Sequence, residues 1–252
     1  MHDLWYKNAV IYALDIESFQ DDNGDGIGDL AGVTRRLAYL AGLGVTCVWL
    51  HPFYTSPRQD DGYDISDYYT VDPQFGDLGD FVEFAHQAET FGIRIMVDLV
   101  VNHTSSEHPW FRAARSDPNS PYRDFYVWAE KPPEDPELGI VFPGAQKSTW
   151  TFDRKAGAWY FHRFYDFQPD LNFANPKVRR EIQKIMGFWL EMGVSGFRVD
   201  ALPFVIAAKT ADPSRQPKDY RYLEEMRQFL AWRAKDAIVL GEANVELEEL
   251  RE

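Results

Sequence analysis

The sequence contains a single cysteine, Cys47, among 252 residues, so no disulfide can form within the chain. That excludes a cross-linked framework and makes a reducing, cytoplasmic compartment the expected one. Cys47 itself lies in an apolar run and is expected to pack as a small buried hydrophobe. Positive charge is scarce: 26 Lys and Arg stand against 40 Asp and Glu, a formal net charge of −14. Affinity for nucleic acid or an anionic membrane rests on clustered Lys and Arg, so neither partner is expected. No apolar run approaches the roughly 20 residues of a bilayer span, and the first residues lack a secretory pattern. Three motifs are also missing. There is no Gly-x-Ser-x-Gly elbow and no His-Glu-x-x-His pair, His103 and His108 having the wrong spacing. The glycines at 24, 26 and 28 do not form a dinucleotide fingerprint, and the carboxylates around them would repel pyrophosphate.

Hydrophobic residues at 45% and aromatics at 15% describe a globular chain with a sizeable core. Short β-branched runs alternate with longer stretches of helical periodicity. Strands are predicted over residues 10–16, 45–50, 93–101, 196–200 and 238–241. A helix is predicted from Leu30, capped by Asp29 and stopped at Gly42 and Gly44. Another opens at Asp80 with Glu83 at capping-box spacing, buries Phe81, Phe84, Ala85, Ala88 and Phe91, and ends at Gly92. A third begins at Asn175-Pro176, an N-cap followed by proline at the first helical position, and a fourth covers 220–235. Between 104 and 174 there is no clean helix, only turn formers and aromatics, and a structureless loop of that length points to an inserted subdomain. Repeated βα units imply a parallel sheet, open or closed as a (β/α)₈ TIM barrel. The expected domains are 1–103, the first part of a barrel; 104–174, the insertion after strand three; and 175–252, the barrel continued to strand five. Five strands cannot close a barrel, so it is expected to be incomplete in this chain.

In barrels the working residues stand at the carboxyl ends of strands. Here strand three ends at Asn102-His103, strand four at Arg198-Val199-Asp200 and strand five at Glu242. Side chains alternate along a strand, so Arg198 and Asp200 share one face, and Asp98 and Asn102 share another. Carboxylates on neighbouring strands suit a mechanism in which one attacks and the other handles protons. The adjacent guanidinium is expected to keep Asp200 ionised at neutral pH. The plainer alternative is a structural ion pair beside a solvated strand end. In the acidic loop 21–29, oxygen-bearing residues at 21, 23 and 25 with Gly26 and Asp29 behind them resemble an EF-hand loop. Gly32 stands where that motif needs glutamate, so the resemblance is partial.

Several segments resemble, in order, signature regions of the α-amylase superfamily, glycoside hydrolase family 13. They are Asp98-Leu99-Val100-Val101-Asn102-His103, Gly196-Phe197-Arg198-Val199-Asp200-Ala201 and Gly241-Glu242-Ala243-Asn244. Gln168-Pro169-Asp170-Leu171-Asn172 is similar to the form in trehalose synthases and oligo-1,6-glucosidases, and Ser120 to Trp128 looks more like the former. The resemblance implies a (β/α)₈ enzyme that breaks α-glucosidic bonds with retention through a covalent glucosyl-enzyme. Its ligands would be small α-glucosides such as maltose or trehalose, and the glucosyl group would pass to water or return to glucose in another linkage. By position, Asp200 is the nucleophile and Glu242 the general acid/base. Arg198 and His103 line the glucose pocket, and Asp60 and Tyr63 match a hydroxyl-binding aspartate and a ring-stacking tyrosine. Asp21, Asn23, Asp25, the Ile27 carbonyl and Asp29 match a structural Ca²⁺ site, Asn102 and Asp170 a second calcium position, and no organic cofactor is implied.

Two departures stand out. The superfamily's third catalytic carboxylate is an aspartate following a histidine, and after Glu242 the sequence has neither. Trehalose synthases carry glutamate in the loop after strand four, where this sequence reads Leu202-Pro203-Phe204-Val205-Ile206-Ala207-Ala208-Lys209. The chain is therefore expected to be the N-terminal part of a longer enzyme and inactive alone. The rival readings are a non-catalytic sugar-binding protein of the same ancestry and a calcium-binding structural module.

Overall fold

In a computed structural model of the protein, residues 4–131, 134–209 and 218–246 are described. Strand β1 (Ile11–Leu14) leads into a one-turn helix, α1 (Ile16–Phe19), and the acidic loop, after which α2 (Leu30–Arg35) and α3 (Leu37–Gly42) precede β2 (Cys47–Leu50). A hairpin of β3 (Tyr54–Thr55) and β4 (Asp67–Val71) is followed by α4 (Leu78–Thr90) and β5 (Arg94–Leu99). Next come α5 (Pro109–Ser116), β6 (Trp128–Ala129), β7 (Trp150–Asp153) and β8 (Ala158–Phe161). The chain continues through α6 (Pro176–Glu191), β9 (Gly196–Val199), α7 (Leu202–Ile206), α8 (Arg221–Arg233) and β10 (Ile238–Gly241).

The sheet that positions the site has five parallel strands in the order β1-β2-β5-β9-β10. One face is apolar and sealed: Val48, Leu50, Val97, Leu99, Phe197 and Val199 are buried, as strands covered by helices require. The other face carries Trp49, Asp98 and Arg198, the last two directly paired across β5 and β9. Leu14 pairs with Leu50, Leu50 with Val97, Leu99 with Val199 and Val199 with Gly241. β5, β9 and β10 therefore end level, two residues beyond β1 and β2, and the residues just past them gather on one rim. At the opposite rim, Trp5 donates its indole N–H to the Asp236 carbonyl at 2.8 Å. Arg94 pairs with the Asp236 carboxylate at 2.8 Å and lies 5.0 Å from the centroid of the Trp5 ring. This contact ties the segment before β1 to the loop before β10. A separate antiparallel sheet, ordered β6-β8-β7, lies in the chain between β5 and α6.

Packing behind the hairpin is aromatic. Trp189 of α6 stands edge-on to Phe81 of α4 and to Phe53, with centroids 4.9 and 5.1 Å apart, and its indole donates to the Tyr68 carbonyl at 2.8 Å. Truncating so large a buried ring costs about 3–5 kcal/mol. Cys47 is fully buried, as expected. Gly28 and Gly32 allow the acidic loop to close against α1, because a Cβ at either would lie 2.0 Å from the carbonyl oxygen of Ile16 or Gln20.

The elements differ from expectation at several points. The cap of α4 is Asp77, whose carboxylate accepts from Gly79 and Asp80 while Asp80 reaches back to the Asp77 amide, so the capping box sits three residues earlier. Phe91, at the end of that helix, is exposed rather than buried. The helix expected from Leu30 is split at Arg36, where the Thr34 hydroxyl bonds back to the Leu30 carbonyl and the Arg36 amide turns to Val33. Helix α5 was not expected: its N-cap is the ring nitrogen of His108, which accepts from Trp110 N–H, and histidine is outside the usual set of caps. Asp15 ends β1 by capping α1 instead of extending the strand. Among the described residues no helix is long and apolar enough to cross a membrane.

Candidate active site

The rim where the strands end is organised by one guanidinium. Arg198 Nη1 lies 2.7 Å from Asp98 Oδ1 and 2.6 Å from Asp200 Oδ1, and Nη2 lies 2.9 Å from Glu242 Oε1. The other Asp98 oxygen accepts from the Trp49 indole at 2.9 Å, and the Trp49 ring sits 5.2 Å below the guanidinium carbon. Ala201, immediately after Asp200, is left-handed with φ 51°, a strained conformation for a residue with a Cβ. That turn aims its amide at Glu242 Oε2, 2.9 Å away.

Three carboxylates around one cation leave the cluster short of positive charge. Burial opposes the charge of Arg198, but Asp98 and Asp200 outweigh it and raise its pKa. Burial pushes the Asp200 carboxyl up to about 7; Arg198 pulls it down, while Glu242 and Asp98 push it further up. Arg198 does favour the ionised form of Asp200, as expected, but burial works against it. Burial also raises Asp98, against the pull of Arg198 and the Trp49 hydrogen bond. Two buried carboxyls compete for one guanidinium, and burial raises both against its pull.

Tyr63 faces this cluster: burial raises its hydroxyl pKa first, and the charges of Asp98, Arg198, Asp200 and Glu242 all act on it. His103 holds Tyr63 from below, its Nε2 lying 3.2 Å from the Tyr63 carbonyl and its Nδ1 3.3 Å from the Asn102 amide nitrogen. A carbonyl only accepts, so those partners assign the proton to Nε2. Burial lowers the pKa of His103 to about 4, and the ring is neutral at pH 7. Phe164 stacks edge-on against it at 5.3 Å. Asp60 belongs to the same tight turn, with Tyr63 N–H on its carbonyl, and its carboxylate accepts from Gln168 Nε2 at 2.8 Å. All six residues expected at the catalytic and sugar-binding positions thus fall on one rim and the turn beside it. Trp49, which orients Asp98, was missed; the alternation along β2 places it on the same face as Asp98 and could have found it.

The acidic loop is closed by its own amides. Asp21 accepts from Gly24 and Gly26, Asn23 from Asp25, Asp25 from Ile27, and Asp29 from Asp22, Asn23 and Gly32. Those backbone bonds lower the Asp21 carboxyl pKa. The donors are hard oxygens of the kind calcium takes, although no cluster of three His, Cys, Asp or Glu able to hold a metal occurs among the described residues. At the second expected calcium position an ammonium stands instead. Lys209 Nζ lies 2.7 Å from Asn102 Oδ1, 2.9 Å from the Asn102 carbonyl and 2.8 Å from Asp170 Oδ2, with its side chain 4% exposed. Burial lowers its pKa while Asp170 opposes that shift. A cation already occupying the site leaves no room for a second one. Nothing in the sequence around Lys209 signalled this role.

A parallel barrel-type sheet, with carboxylates at the ends of adjacent strands and a turn carrying Asp60 and Tyr63 beside them, defines the class: a (β/α)-barrel chain. The alpha-amylase catalytic domain matches residues 11–252, and the chain belongs to that family. It is 43% identical over 240 residues to a trehalose synthase/amylase of Mycolicibacterium smegmatis, covering 95% of this chain and 40% of that protein. It is also 43% identical over 232 residues to an oligo-1,6-glucosidase of Parageobacillus thermoglucosidasius, covering 91% and 41%. The crystal structure of a Bacillus licheniformis trehalose-6-phosphate hydrolase superposes with a TM-score of 0.87 at 35% identity, covering 96% of this chain and 45% of that one. The chain thus spans less than half the length of these relatives.

Proposed function

We propose that this chain carries the acid pair of an enzyme that cleaves α-glucosidic bonds with retention. The observation that supports it best is the sharing of Arg198 by Asp200 and Glu242 from neighbouring strands. In the first step Asp200 attacks the anomeric carbon, the bond to the leaving sugar breaks, and Glu242 gives its proton to the departing oxygen. In the second, water or a glucose hydroxyl attacks the same carbon, its proton passes to Glu242, and Asp200 is released. That division needs Asp200 ionised and the proton on Glu242. Arg198, His103, Asp60 and Tyr63 form the glucose pocket, the first and third by hydrogen bonds and Tyr63 by its ring. Return of the glucosyl group to glucose would interconvert maltose and trehalose, the activity that the trehalose synthase relatives suggest.

The same reading treats 104–174 as an inserted subdomain, supported by its separate antiparallel sheet, and 1–103 with 175–252 as barrel. Among the described residues the outer edges of β1 and β10 are unpaired, which supports the view that the 252-residue chain alone is inactive, since a barrel rim needs closure to exclude water. Calcium, if bound, belongs to the acidic loop, where it would brace the closure against α1. Calorimetric titration of Ca²⁺ against wild type and Asp25→Ala tests that assignment.

The decisive test uses the full-length protein. Asp200→Asn should lower turnover of maltose by roughly 10³-fold or more, and the glucose that wild type frees from 4-nitrophenyl α-D-glucoside should appear first as the α-anomer in a proton NMR time course. With maltose, the same method separates trehalose from free glucose. Near-normal turnover in Asp200→Asn, or β-glucose as the first sugar freed from 4-nitrophenyl α-D-glucoside, overturns the reading.

A further inference from the structure

Gln168 is wholly buried, and its side chain has no freedom of orientation. Its Oε1 accepts from the Tyr165 amide at 3.3 Å, so the NH₂ end must face the other way. There it donates to Asp60 Oδ2 at 2.8 Å, across 108 residues of sequence. The backbone around it is pinned: Gln168 N–H bonds to Tyr165, and the flanking carbonyls of Phe167 and Pro169 accept from Ser106 and Thr104.

The turn that carries Asp60 is fixed by a different residue. Asp64, fully buried, accepts from Ser56 Oγ, Gln59 N–H and Asp60 N–H, and Gly62 takes φ 94° where a Cβ would lie 2.9 Å from the Pro52 carbonyl. Asp64 thus sets the backbone of residue 60 but does not aim its carboxylate. The Gln168 amide does that. Burial raises the pKa of Asp60, with the Gln168 hydrogen bond opposing it and Asp64 and Asp61 adding to it. A neutral donor suits this place: a lysine or arginine would compete with a sugar for both oxygens, whereas one amide N–H leaves Oδ1 available to hydroxyl groups.

We propose that Gln168 is a positioning residue for substrate, which holds the Asp60 carboxylate in the orientation that recognises the hydroxyls of the terminal glucosyl unit. This rests on the reading of Asp60 as a sugar ligand. It also makes glucose recognition depend on the segment between β8 and α6.

The test is a double-mutant cycle in the full-length protein, with kcat/KM on 4-nitrophenyl α-D-glucoside as readout and circular dichroism as the check on folding. Gln168→Leu should lower kcat/KM roughly 10- to 100-fold, the range for residues that orient a ligand from behind. Asp60→Ala should lower it at least as much, and the double variant no further than Asp60→Ala alone, because Gln168 acts through Asp60. The near-isosteric Gln168→Glu, which puts one carboxylate against another, serves if Gln168→Leu does not fold and should show the same dependence on Asp60. Losses that multiply in the double variant, or full activity in both Gln168 variants, overturn the inference while leaving the glucoside reading intact. Full activity in Asp60→Ala, or no turnover by wild type, sinks the underlying reading and takes the inference with it.

Discussion

Two neighbouring strands each end in a carboxylate on the same guanidinium, yet the two ends are built differently. β9 lies between β5 and β10, all four of its residues are buried, and the side chain of Asp200 beyond it is 11% exposed. β10 is an edge strand, its residue Leu240 is 40% exposed, and the side chain of Glu242 is 49% exposed. One ion pair therefore sits in a low-dielectric interior and the other at the water boundary, where the same contact is worth several-fold less. Burial, not partner identity, separates the two acids. The inner one is costly to ionise and rigidly placed, as a group that must attack along one line has to be. In the 252-residue chain the outer one lies at the boundary with solvent.

Removing the shared cation is the strongest way to break this contrast. Arg198→Met leaves Asp98 and Asp200 buried without a counter-charge, and loss of one partner of a buried pair costs roughly 3–5 kcal/mol. Urea melts at pH 8 should show that loss, and it should shrink as acid neutralises the carboxylates. A melt unchanged at pH 8 would mean that the inner cluster is not held by charge. A smaller effect of opposite sign is expected for Asp200→Asn. The folded pKa of Asp200 is raised to about 7 from 3.8, so the folded state binds the extra proton between those values. Its stabilising share is complete below about 4 and lost as pH rises through about 7. Asn cannot ionise, so the variant should be more stable than wild type at pH 8 and should flatten the decline between pH 4 and 7. Equal slopes in the two proteins would rule this out. In activity the same pKa predicts that kcat/KM of the full-length enzyme falls as pH drops below about 7, because the attacking group protonates.

The contrast between these strand ends was only half legible in the sequence. Period-two alternation put Arg198 and Asp200 on one face, and the gathering of working residues at the carboxyl ends of barrel strands put Asp200 and Glu242 on neighbouring ends, since local pattern fixes which way each side chain points. It could not say that Asp200 would be sealed, because burial depends on what tertiary folding packs around a strand end. The same limit explains Lys209. Asn102 and Asp170 were visible as a cation site, but the ammonium that fills it arrives from a loop more than 100 residues beyond Asn102, by tertiary folding alone. Helix α5 escaped for a local reason, its unusual histidine cap, and the split between α2 and α3 for another, the Thr34 hydroxyl that competes for the helix backbone. The Gln168 contact with Asp60 joins two signatures that read as independent until the chain is folded.

The smallest expected effect sharpens the contrast most. Glu242→Gln removes a charge from the same guanidinium that Asp200 uses, so a purely geometric view ranks the two substitutions as equals. Glutamine keeps an oxygen for the Ala201 amide and gives up only the ion pair to Arg198, on a side chain half open to water. Exposed pairs of that kind contribute about 0–1 kcal/mol and fade with salt. Stability should therefore change by less than about 0.5 kcal/mol between pH 5 and 8, with that difference smaller still in 0.5 M salt than in 0.05 M, conditions under which the Debye length falls from roughly 14 to 4 Å. The full-length enzyme should nonetheless lose most of its turnover of maltose, whose leaving group needs a proton, and regain much of it on a glucosyl fluoride, whose leaving group does not. A stability loss above about 1.5 kcal/mol would place Glu242 in the sealed cluster with Asp200 and erase the distinction between the strand ends.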